Sequence, residues 1–360
     1  MTVVLDILAI LGGVAVVLLT LSDLFQSVVV PRATAKRYRV SYYFWRSFWR
    51  LWPSLAWRFF PNDSDRREEF FAVFAPLGLV SLMGMWVASL IVGFGLILWG
   101  LRSGVAPANG PFGMALYFAG TSVLTIGFGD VVGRSGAARF VSVLAGLSGL
   151  SLLSINTAYL FAIFASFQTR ETFVVTVGAR AGAPPSGVNL LAIAGYSMTR
   201  DDLGSLMVEA QRWAAQVMES HLAYPVLAYF RSSHDDQSWL GTLGTLLDAA
   251  TLLMTTVEGG REGQARIFYN VGRHATRDLS HYFGTATAQE SVGIERAEFE
   301  HACDRLAAAG YTLRPRDEAW LRFGELRASY ATQLNSLARF FEIPPLSWIG
   351  DRSNIALSPH

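Results

Sequence analysis

Three long apolar stretches dominate the first half of the chain. They occupy residues 3–22, 70–99 and 139–167. Each is at least as long as the ~20 residues that a helix needs to cross the hydrocarbon core of a bilayer. The pattern therefore predicts three membrane-spanning helices, with a short amphipathic run at 111–124 between the second and the third.

The first apolar stretch has a second interpretation, a cleaved signal peptide. Such a peptide begins with basic residues and ends with small residues before its cleavage site. No Lys or Arg precedes Arg32, and apolar residues resume at 28–30. A retained transmembrane helix within residues 1–30 is therefore favoured, with Asp6 near its start and Asp23 near the opposite membrane surface.

Residues 31–69 mix basic and aromatic side chains. Arg46, Arg50 and Arg58 share one face of a predicted helix, and apolar side chains lie largely on another. This composition is typical of a helix in the headgroup plane, with Arg towards anionic headgroups and Trp at the interface. A solvated basic loop is the alternative. A voltage sensor is not expected, because its arginines would recur at every third position of an apolar helix.

Composition narrows the class of protein. Of 360 residues, 52% are hydrophobic and only 16% are charged, which is skewed towards a membrane protein. The net charge of +1 gives no reason to expect a nucleic-acid partner. Cys303 is the single cysteine, which excludes an intrachain disulfide and any multi-cysteine metal site.

The most specific pattern follows the amphipathic run. It consists of Thr125, Ile126, Gly127, Phe128 and Gly129, with Asp130 directly after them. Backbone carbonyls can replace the water shell of K⁺ at low charge. Successive carbonyls face one pore only where the backbone alternates between right- and left-handed regions. Gly127 and Gly129 suit this alternation, because glycine adopts the left-handed region without steric cost.

This motif and its flanking helices resemble the pore domain of the potassium-channel family, whose signature is T-[VI]-G-[YF]-G followed by Asp or Asn. The resemblance covers about residues 70–168 and implies an all-α membrane fold of outer helix, pore helix, filter and inner helix. It implies that carbonyls of residues 125–128 and the Thr125 hydroxyl bind K⁺, with Asp130 at the outer mouth. Since one motif per chain cannot enclose an ion, it also implies a homotetramer. K⁺ would be the permeant ion, and no organic cofactor is expected.

Two positions depart from the family pattern. Phe128 replaces the commoner Tyr and lacks the hydroxyl that can tie a filter to surrounding aromatics, so Tyr117 and Phe118 are expected to substitute by packing. Thr121 stands where some bacterial members have a carboxylate behind the filter. A weakly selective cation channel therefore remains the alternative to a K⁺-selective one. The basic segment at 31–69 separately resembles the slide helix of inward-rectifier-type channels.

The third apolar stretch supplies candidate cavity and gate residues, namely Gly149, Leu153, Asn156, Thr157 and Phe161. Gly149 matches the hinge glycine of the family by its distance from the motif, and a small residue for close helix packing is the alternative. Asn156 and Thr157 are polar at membrane depth and are expected to face a water-filled cavity. Phe161 is the candidate for a hydrophobic constriction.

Charge distribution predicts the orientation. The segment 31–69 contains nine basic residues, whereas 100–138 contains two. The positive-inside rule places the first segment in the cytoplasm and the second outside. The N-terminus is then external, the motif enters from outside, and the C-terminal half lies in the cytosol.

Residues 169–360 match no family pattern and predict a mainly helical cytosolic domain. A short strand or lead-in at 172–177 and a Gly/Pro linker at 182–187 are expected first. Predicted helices follow, beginning at 199–201, spanning 235–259, 261–283, 292–309 and 316–341, and ending before Pro344. The stretch 239–257 is apolar enough for a fourth membrane span, but Asp248 and flanking charges favour a buried helix.

The C-terminal half offers little recognisable chemistry. It has no G-x-G-x-x-G dinucleotide motif, no pattern for a cyclic-nucleotide barrel and no nucleophile–base arrangement, so enzymatic activity is not expected. His274, Asp278 and His281 could share a helical face as a metal site, with ordinary surface or core histidines as the alternative. Oligomerisation and ligand sensing both remain open, as does a membrane-anchored signalling module.

Overall fold

The computed structural model describes residues 2–30, 39–182, 185–234, 237–259, 262–285 and 294–343. The basic residues predicted to lie within 31–38, the helix start at 235–236 and the proline pair at 344–345 fall outside these ranges. The chain divides into two compact units, residues 1–164 and 165–360. The division falls inside one long helix.

The N-terminal unit contains helices joined by short turns. Its elements are α1 (Thr2–Leu24) with a π-helical turn (Phe25–Val29), α2 (Val40–Phe59), α3 (Ser64–Gly100), a 3₁₀ turn (Arg102–Gly104), β1 (Val105–Ala106), α4 (Phe112–Val123), β2 (Val132–Gly133) and α5 (Gly136–Ala181). Three helical spans are long and apolar enough to cross a membrane: Val3–Val28, Ser64–Gly100 and Gly136–Ala181. The three predicted long apolar helices are confirmed, and each is longer than predicted.

Helix α1 packs antiparallel along α3 through glycines. A Cβ atom at Gly13 would lie 2.5 Å from the carbonyl oxygen of Gly93, so neither helix could come so close with a larger residue there. Near the start of α1, Asp6 forms a salt bridge with Arg102. Contacts at both ends and the glycines between them hold α1 against the outer side of α3.

A buried carboxylate joins α1 to α2. Asp23 is 1% exposed and accepts hydrogen bonds from the Ser41 amide (3.1 Å) and the Ser41 hydroxyl (2.8 Å). Because α2 begins at Val40, Asp23 satisfies an amide of its first turn, as a capping side chain does. The Ser27 hydroxyl lies 2.8 Å from that of Ser41 and adds a second link.

Helix α2 buries one aromatic face against the start of α3. The Trp52 ring stacks on Phe70 at 4.5 Å and its indole N–H donates to the Phe70 carbonyl (3.1 Å), and the Trp49 ring meets Phe74 edge-on at 4.8 Å. The three arginines predicted to share a face, Arg46, Arg50 and Arg58, are exposed. Leu51 and Leu55, predicted to lie with Trp52, are exposed as well, because only part of the apolar side reaches α3.

The C-terminal unit is a helical bundle that begins with the end of α5. Its remaining elements are α6 (Gly187–Tyr196), a 3₁₀ turn (Arg200–Asp202), α7 (Leu203–Ala223), a 3₁₀ turn (Pro225–Tyr229), α8 (Trp239–Thr255), α9 (Glu262–Phe283), α10 (Arg296–Ala308) and α11 (Arg316–Phe340). The strand or lead-in predicted at 172–177 is wrong as a strand, since α5 continues through it. Helix α6 was not predicted from the linker; the Ser186 hydroxyl caps it by accepting from the Asn189 amide at 3.1 Å.

Helix α8 contains the apolar stretch that was considered as a fourth membrane span. All 17 of its residues are buried inside the bundle, so its apolar surface packs against protein. Asp248 in its middle accepts a 2.6 Å hydrogen bond from the Tyr330 hydroxyl and a 3.2 Å one from the Arg327 guanidinium. The buried carboxylate is therefore paired, and the predicted buried helix is confirmed.

Candidate functional site

The last turn of α4 positions the Thr125–Gly129 motif. The carbonyl of Thr121 accepts hydrogen bonds from the amides of Ile126 (2.8 Å) and Gly127 (3.2 Å), and the amide of Thr125 donates to Ser122 (3.0 Å). These bonds turn the first amides of the motif back towards α4. Within the described ranges, no donor reaches the carbonyl oxygens of residues 125–128. The carbonyl oxygens of residues 125–128 are thus not used by hydrogen bonds within the described parts of the chain.

The backbone of the motif alternates in handedness. Positive φ angles occur at Thr125 (+56°), Gly127 (+59°) and Gly129 (+82°), which are every second residue. A Cβ atom on either glycine would meet nothing within 4 Å, so the conformation rather than lack of space calls for glycine. The left-handed glycines agree with the sequence interpretation. The left-handed backbone of Thr125 was not predicted. This conformation costs about 1 kcal/mol, and no pattern in the neighbouring residues indicates it.

The side chains of the motif are exposed within one chain. Ile126 is 51% and Phe128 69% exposed, although both are large and apolar. Within a single chain, the apolar side chains of the motif therefore lack a complete packing shell.

Tyr117 of α4 connects the motif to the residue after it. Its hydroxyl donates to the carboxylate of Asp130, at 3.0 Å from Oδ2 and 3.2 Å from Oδ1. Its ring lies parallel to that of Phe128, with a 6.5 Å centroid separation and a 3° interplanar angle. The sequence predicted that Tyr117 and Phe118 support the motif by packing. Tyr117 also forms a hydrogen bond, whereas Phe118 is buried within the chain. Tyr117 thus provides a hydroxyl group beside the motif, which Phe128 itself lacks.

A short β-ladder anchors the segment that follows the motif. Strands β1 and β2 pair antiparallel, with Val105 opposite Gly133, and the amides of Arg134 (2.8 Å) and Ser135 (3.0 Å) donate to Gly104. A Cβ atom on Gly104 would lie 2.2 Å from the Ser135 hydroxyl, so glycine permits this approach. The segment that follows the motif is therefore tied to the turn that precedes α4. Strands of two residues have no detectable period, which explains why the sequence did not reveal them.

The predicted cavity and gate residues divide into two sets. Leu153 (66% exposed), Thr157 and Phe161 (73%) are open, whereas Gly149 and Asn156 (7%) are buried within the chain. The prediction that Asn156 faces an open cavity is therefore corrected. Successive steps of four residues drift by about 40° around a helix, while a step of seven returns to nearly the same side. Asn156 thus lies beside the buried Gly149, and its Oδ1 has no hydrogen-bond partner among the described residues.

Gly149 makes close contact with α4. A Cβ atom at this position would lie 1.7 Å from the carbonyl oxygen of Val123, and backbone atoms cannot yield that much. At Gly146, one turn earlier, the Cβ atom would lie an ordinary 3.5 Å from the Ser122 carbonyl oxygen. Close packing alone accounts for glycine at 149.

The predicted metal site on α9 is the remaining candidate for ligand chemistry. In these parts of the chain, no three His, Cys, Asp or Glu side chains come together as a metal site would require. His274 and Asp278 lie 3.4 Å apart on an exposed face of α9.

Comparison with known proteins supports an ion channel. Residues 82–166 match the family described as "Ion channel", which confirms the resemblance over that part of the chain. A curated relative, "Uncharacterized membrane protein YdjJ" of Bacillus subtilis (strain 168), is 20% identical over 196 residues. The match covers 54% of this chain and 55% of the relative, so the chain spans about half the length of that protein. No solved structure matches. The chain is therefore a membrane protein that contains an ion-channel domain.

Proposed function

We propose that this chain is one subunit of a passive, K⁺-selective channel in which four copies surround a single pore. One observation carries the proposal: the backbone of the motif alternates in handedness at Thr125, Gly127 and Gly129, and the carbonyl oxygens of residues 125–128 accept no hydrogen bond among the described residues. Alternation turns successive carbonyl groups to one side, as a dehydrated K⁺ requires. The ion-channel match at 82–166 favours transport over catalysis.

In this proposal K⁺ moves down its electrochemical gradient in single file. It loses water at the outer mouth near Asp130, passes the carbonyl row and the Thr125 hydroxyl, and regains water in a cavity bordered by Leu153 and Thr157. Phe161 forms the constriction below. K⁺ is the only small partner that the mechanism needs. The end of α4 directs its partially negative carbonyl terminus towards the cavity and stabilises a cation there.

Four copies are proposed because one motif cannot enclose an ion. The exposed apolar side chains of Ile126 and Phe128 support this, since neighbouring chains would bury them. Exposed apolar residues along α5, including Leu147 (59%) and Leu150 (56%), offer further surface for neighbouring chains or lipid.

The orientation follows the charge rule. We place α2 at the cytosolic headgroup layer, with Arg46, Arg50 and Arg58 towards anionic lipid headgroups and exposed Phe59 towards the acyl chains. The N-terminus then lies outside, and the C-terminal unit lies in the cytosol. Helix α5 reaches into both compact units, and we propose that the C-terminal unit gates the pore through it.

The test is the reversal potential of purified protein in planar bilayers with K⁺ on one side and Na⁺ on the other. A potential close to that of a K⁺ electrode, with block by Ba²⁺, is expected. Gly127→Asp should abolish the current, while Gly146→Ala, a substitution with room for its methyl group, should preserve it. A potential near zero would replace the proposal with a weakly selective cation channel. Equal currents from wild type and Gly127→Asp would refute conduction through the motif.

A further inference from the structure

We propose that the C-terminal units of neighbouring subunits contact each other through two different faces, one basic on α9 and one acidic on α11. The inference rests on the proposed tetramer and goes beyond it by assigning the surface that joins the subunits outside the membrane. The basic face consists of Arg266, Ile267, Asn270, Arg273 and Arg277. The acidic face consists of Glu318, Leu321, Gly324, Glu325 and Ala328.

The basic face is the solvent side of a strongly amphipathic helix. The opposite side of α9 is buried in the core of the bundle by Phe268, Ala275 and Leu279. Arginines at 266, 273 and 277 recur at i, i+7 and i+11, which places them within about 40° of each other along about 16 Å of helix. Ile267 beside them is 51% exposed. The face therefore combines a row of positive charge with an exposed aliphatic side chain.

The acidic face has the complementary composition. Leu321 is 71% exposed, although the far side of α11 is buried through Phe323 and Tyr330. A Cβ atom on Gly324 would meet none of the described residues within 4 Å, so no contact among them accounts for glycine there. Glycine is less favourable than alanine in a helix interior, and it permits another backbone to approach closely. Glu318 and Glu325 flank this smooth aliphatic strip.

Existing ion pairs leave charge available on both faces. Arg266 lies 4.0 Å from Glu262, which also pairs with Arg314, and Glu318 lies 3.6 Å from Arg322. Among the described residues, Arg277 and Glu325 form no ion pair. The acidic residues of α10 are less available, since Glu300 pairs with Arg296 at 2.9 Å. Among the described residues, the charge that no ion pair balances is thus positive on α9, at Arg277, and negative on α11, at Glu325.

A neighbouring copy of this chain packs on each face, because the proposed assembly is a symmetric ring. In a ring of four chains every subunit uses two dissimilar surfaces, one for each neighbour. Such an interface needs complementary faces on the same chain, which the arginine row and the glutamate pair provide. Opposite charges fix the direction of docking, and burial of Ile267 and Leu321 contributes the apolar contact. Two basic faces or two acidic faces would repel.

Cysteine cross-linking in the full-length protein tests the pairing. The double variant Ile267→Cys/Leu321→Cys in detergent, treated with a mild oxidant, should give a ladder up to the tetramer on a non-reducing gel. Wild type should give none, because its one cysteine, Cys303, is buried. Each single variant should also give none. Absence of a ladder from the double variant, or a dimer from Leu321→Cys alone, would overturn the proposal, the latter because it would show like faces packing together.

Charge exchange supplies the second test. In the double-cysteine background, Arg273→Glu and Glu325→Arg should each abolish the ladder, and the combination should restore it. Arg212→Glu, an exposed position on α7, is the matched control and should leave the ladder unchanged. A ladder insensitive to all three substitutions would overturn the proposal. K⁺ flux measured on the same preparations distinguishes failure of the proposed interface from failure of the proposed channel. Flux without a ladder refutes only the interface. A nonconducting wild type refutes the channel.

Discussion

The carboxylate of Asp23, at the end of α1, accepts a 2.8 Å hydrogen bond from the indole of Trp86 in α3. Both side chains are nearly inaccessible, with 1% and 2% of their surfaces exposed. The same carboxylate accepts the amide and hydroxyl of Ser41, so three helices share one acceptor. A buried ionisable group is costly unless it is hydrogen-bonded, and here the indole of Trp86 and the amide and hydroxyl of Ser41 are neutral donors.

Replacement of Asp23 by alanine should destabilise the N-terminal unit. The indole N–H, the Ser41 amide and the Ser41 hydroxyl would lose their acceptor, and an orphaned buried donor costs about 1–3 kcal/mol. We expect Asp23→Ala to lower the melting temperature of the detergent-solubilised protein well below that of Asp65→Ala, an exposed carboxylate in the first turn of α3. Equal melting temperatures would show that the shared acceptor does not hold the helices together.

Gly149→Ala should disrupt the contact between α5 and α4. The added methyl group would fall 1.7 Å from the Val123 carbonyl oxygen, and overpacking of this kind costs about 1–3 kcal/mol. Since Val123 ends the helix that carries the motif, K⁺ flux into liposomes should fall together with thermal stability. Gly146→Ala is the matched control and should behave as wild type. A hinge role predicts a different result for Gly149→Ala, namely normal stability with altered opening.

Tyr117→Phe should weaken the support of the motif. The substitution keeps the ring parallel to Phe128 and removes only the hydrogen bond to Asp130. We expect the K⁺/Na⁺ permeability ratio, measured from reversal potentials, to fall relative to wild type. Tyr196→Phe, at an exposed position of the C-terminal unit, should leave the ratio unchanged. An unchanged ratio in Tyr117→Phe would mean that ring packing alone holds the motif.

His221 should make the C-terminal unit sensitive to acid. Its ring packs 4.7 Å from that of Trp239, and its Nδ1 donates to the Val217 carbonyl at 2.7 Å. Its Nε2 then accepts from the Arg170 guanidinium at 3.3 Å. Burial, and secondly the charge of Arg170, lower the pKa of His221 well below its usual 6.5. The folded protein therefore holds a neutral imidazole where the unfolded chain would bind a proton.

The sign of the pH effect follows from this lowered pKa. Below about pH 6.5 the imidazole of His221 binds a proton in the unfolded chain but not in the folded one. Stability is therefore lost as pH falls. Melting temperatures of wild type and His221→Gln should be compared at pH 7.5 and 5.5. The wild type should lose more on acidification than the variant. Parallel losses would show that other groups, such as the carboxylates, account for the acid sensitivity.

Local patterns predicted much of this architecture because they depend on residues close together in sequence. Apolar length identified the three membrane-spanning helices, and the spacing of Gly127 and Gly129 indicated the alternating backbone. Helix α9 was predicted at 261–283 and found at Glu262–Phe283, since its periodicity is strong. Asp248 correctly indicated that α8 is buried in a bundle and does not cross the membrane.

The features that were missed connect residues far apart in sequence. Asp23 and Trp86 are separated by 63 positions, and no periodicity relates them. The pairing of Val105 with Gly133 and the bond from Tyr117 to Asp130 likewise depend on how the chain returns on itself. Asn156 was misplaced because a polar residue at membrane depth was expected to face water, whereas it lies seven residues after the buried Gly149, on nearly the same side of α5.

The shared acceptor at Asp23 also has a consequence for biosynthesis. Ser41 emerges 18 residues after Asp23, and Trp86 follows 63 residues after it. At translation rates of about 5–20 residues per second, Trp86 is synthesised roughly 3–13 s after Asp23. During that interval Ser41, which emerges earlier, can bond the carboxylate, but the bond from α3 is missing. Synthesis of α3 then completes the site, so the order of translation determines when α1 becomes linked to α3 through Asp23.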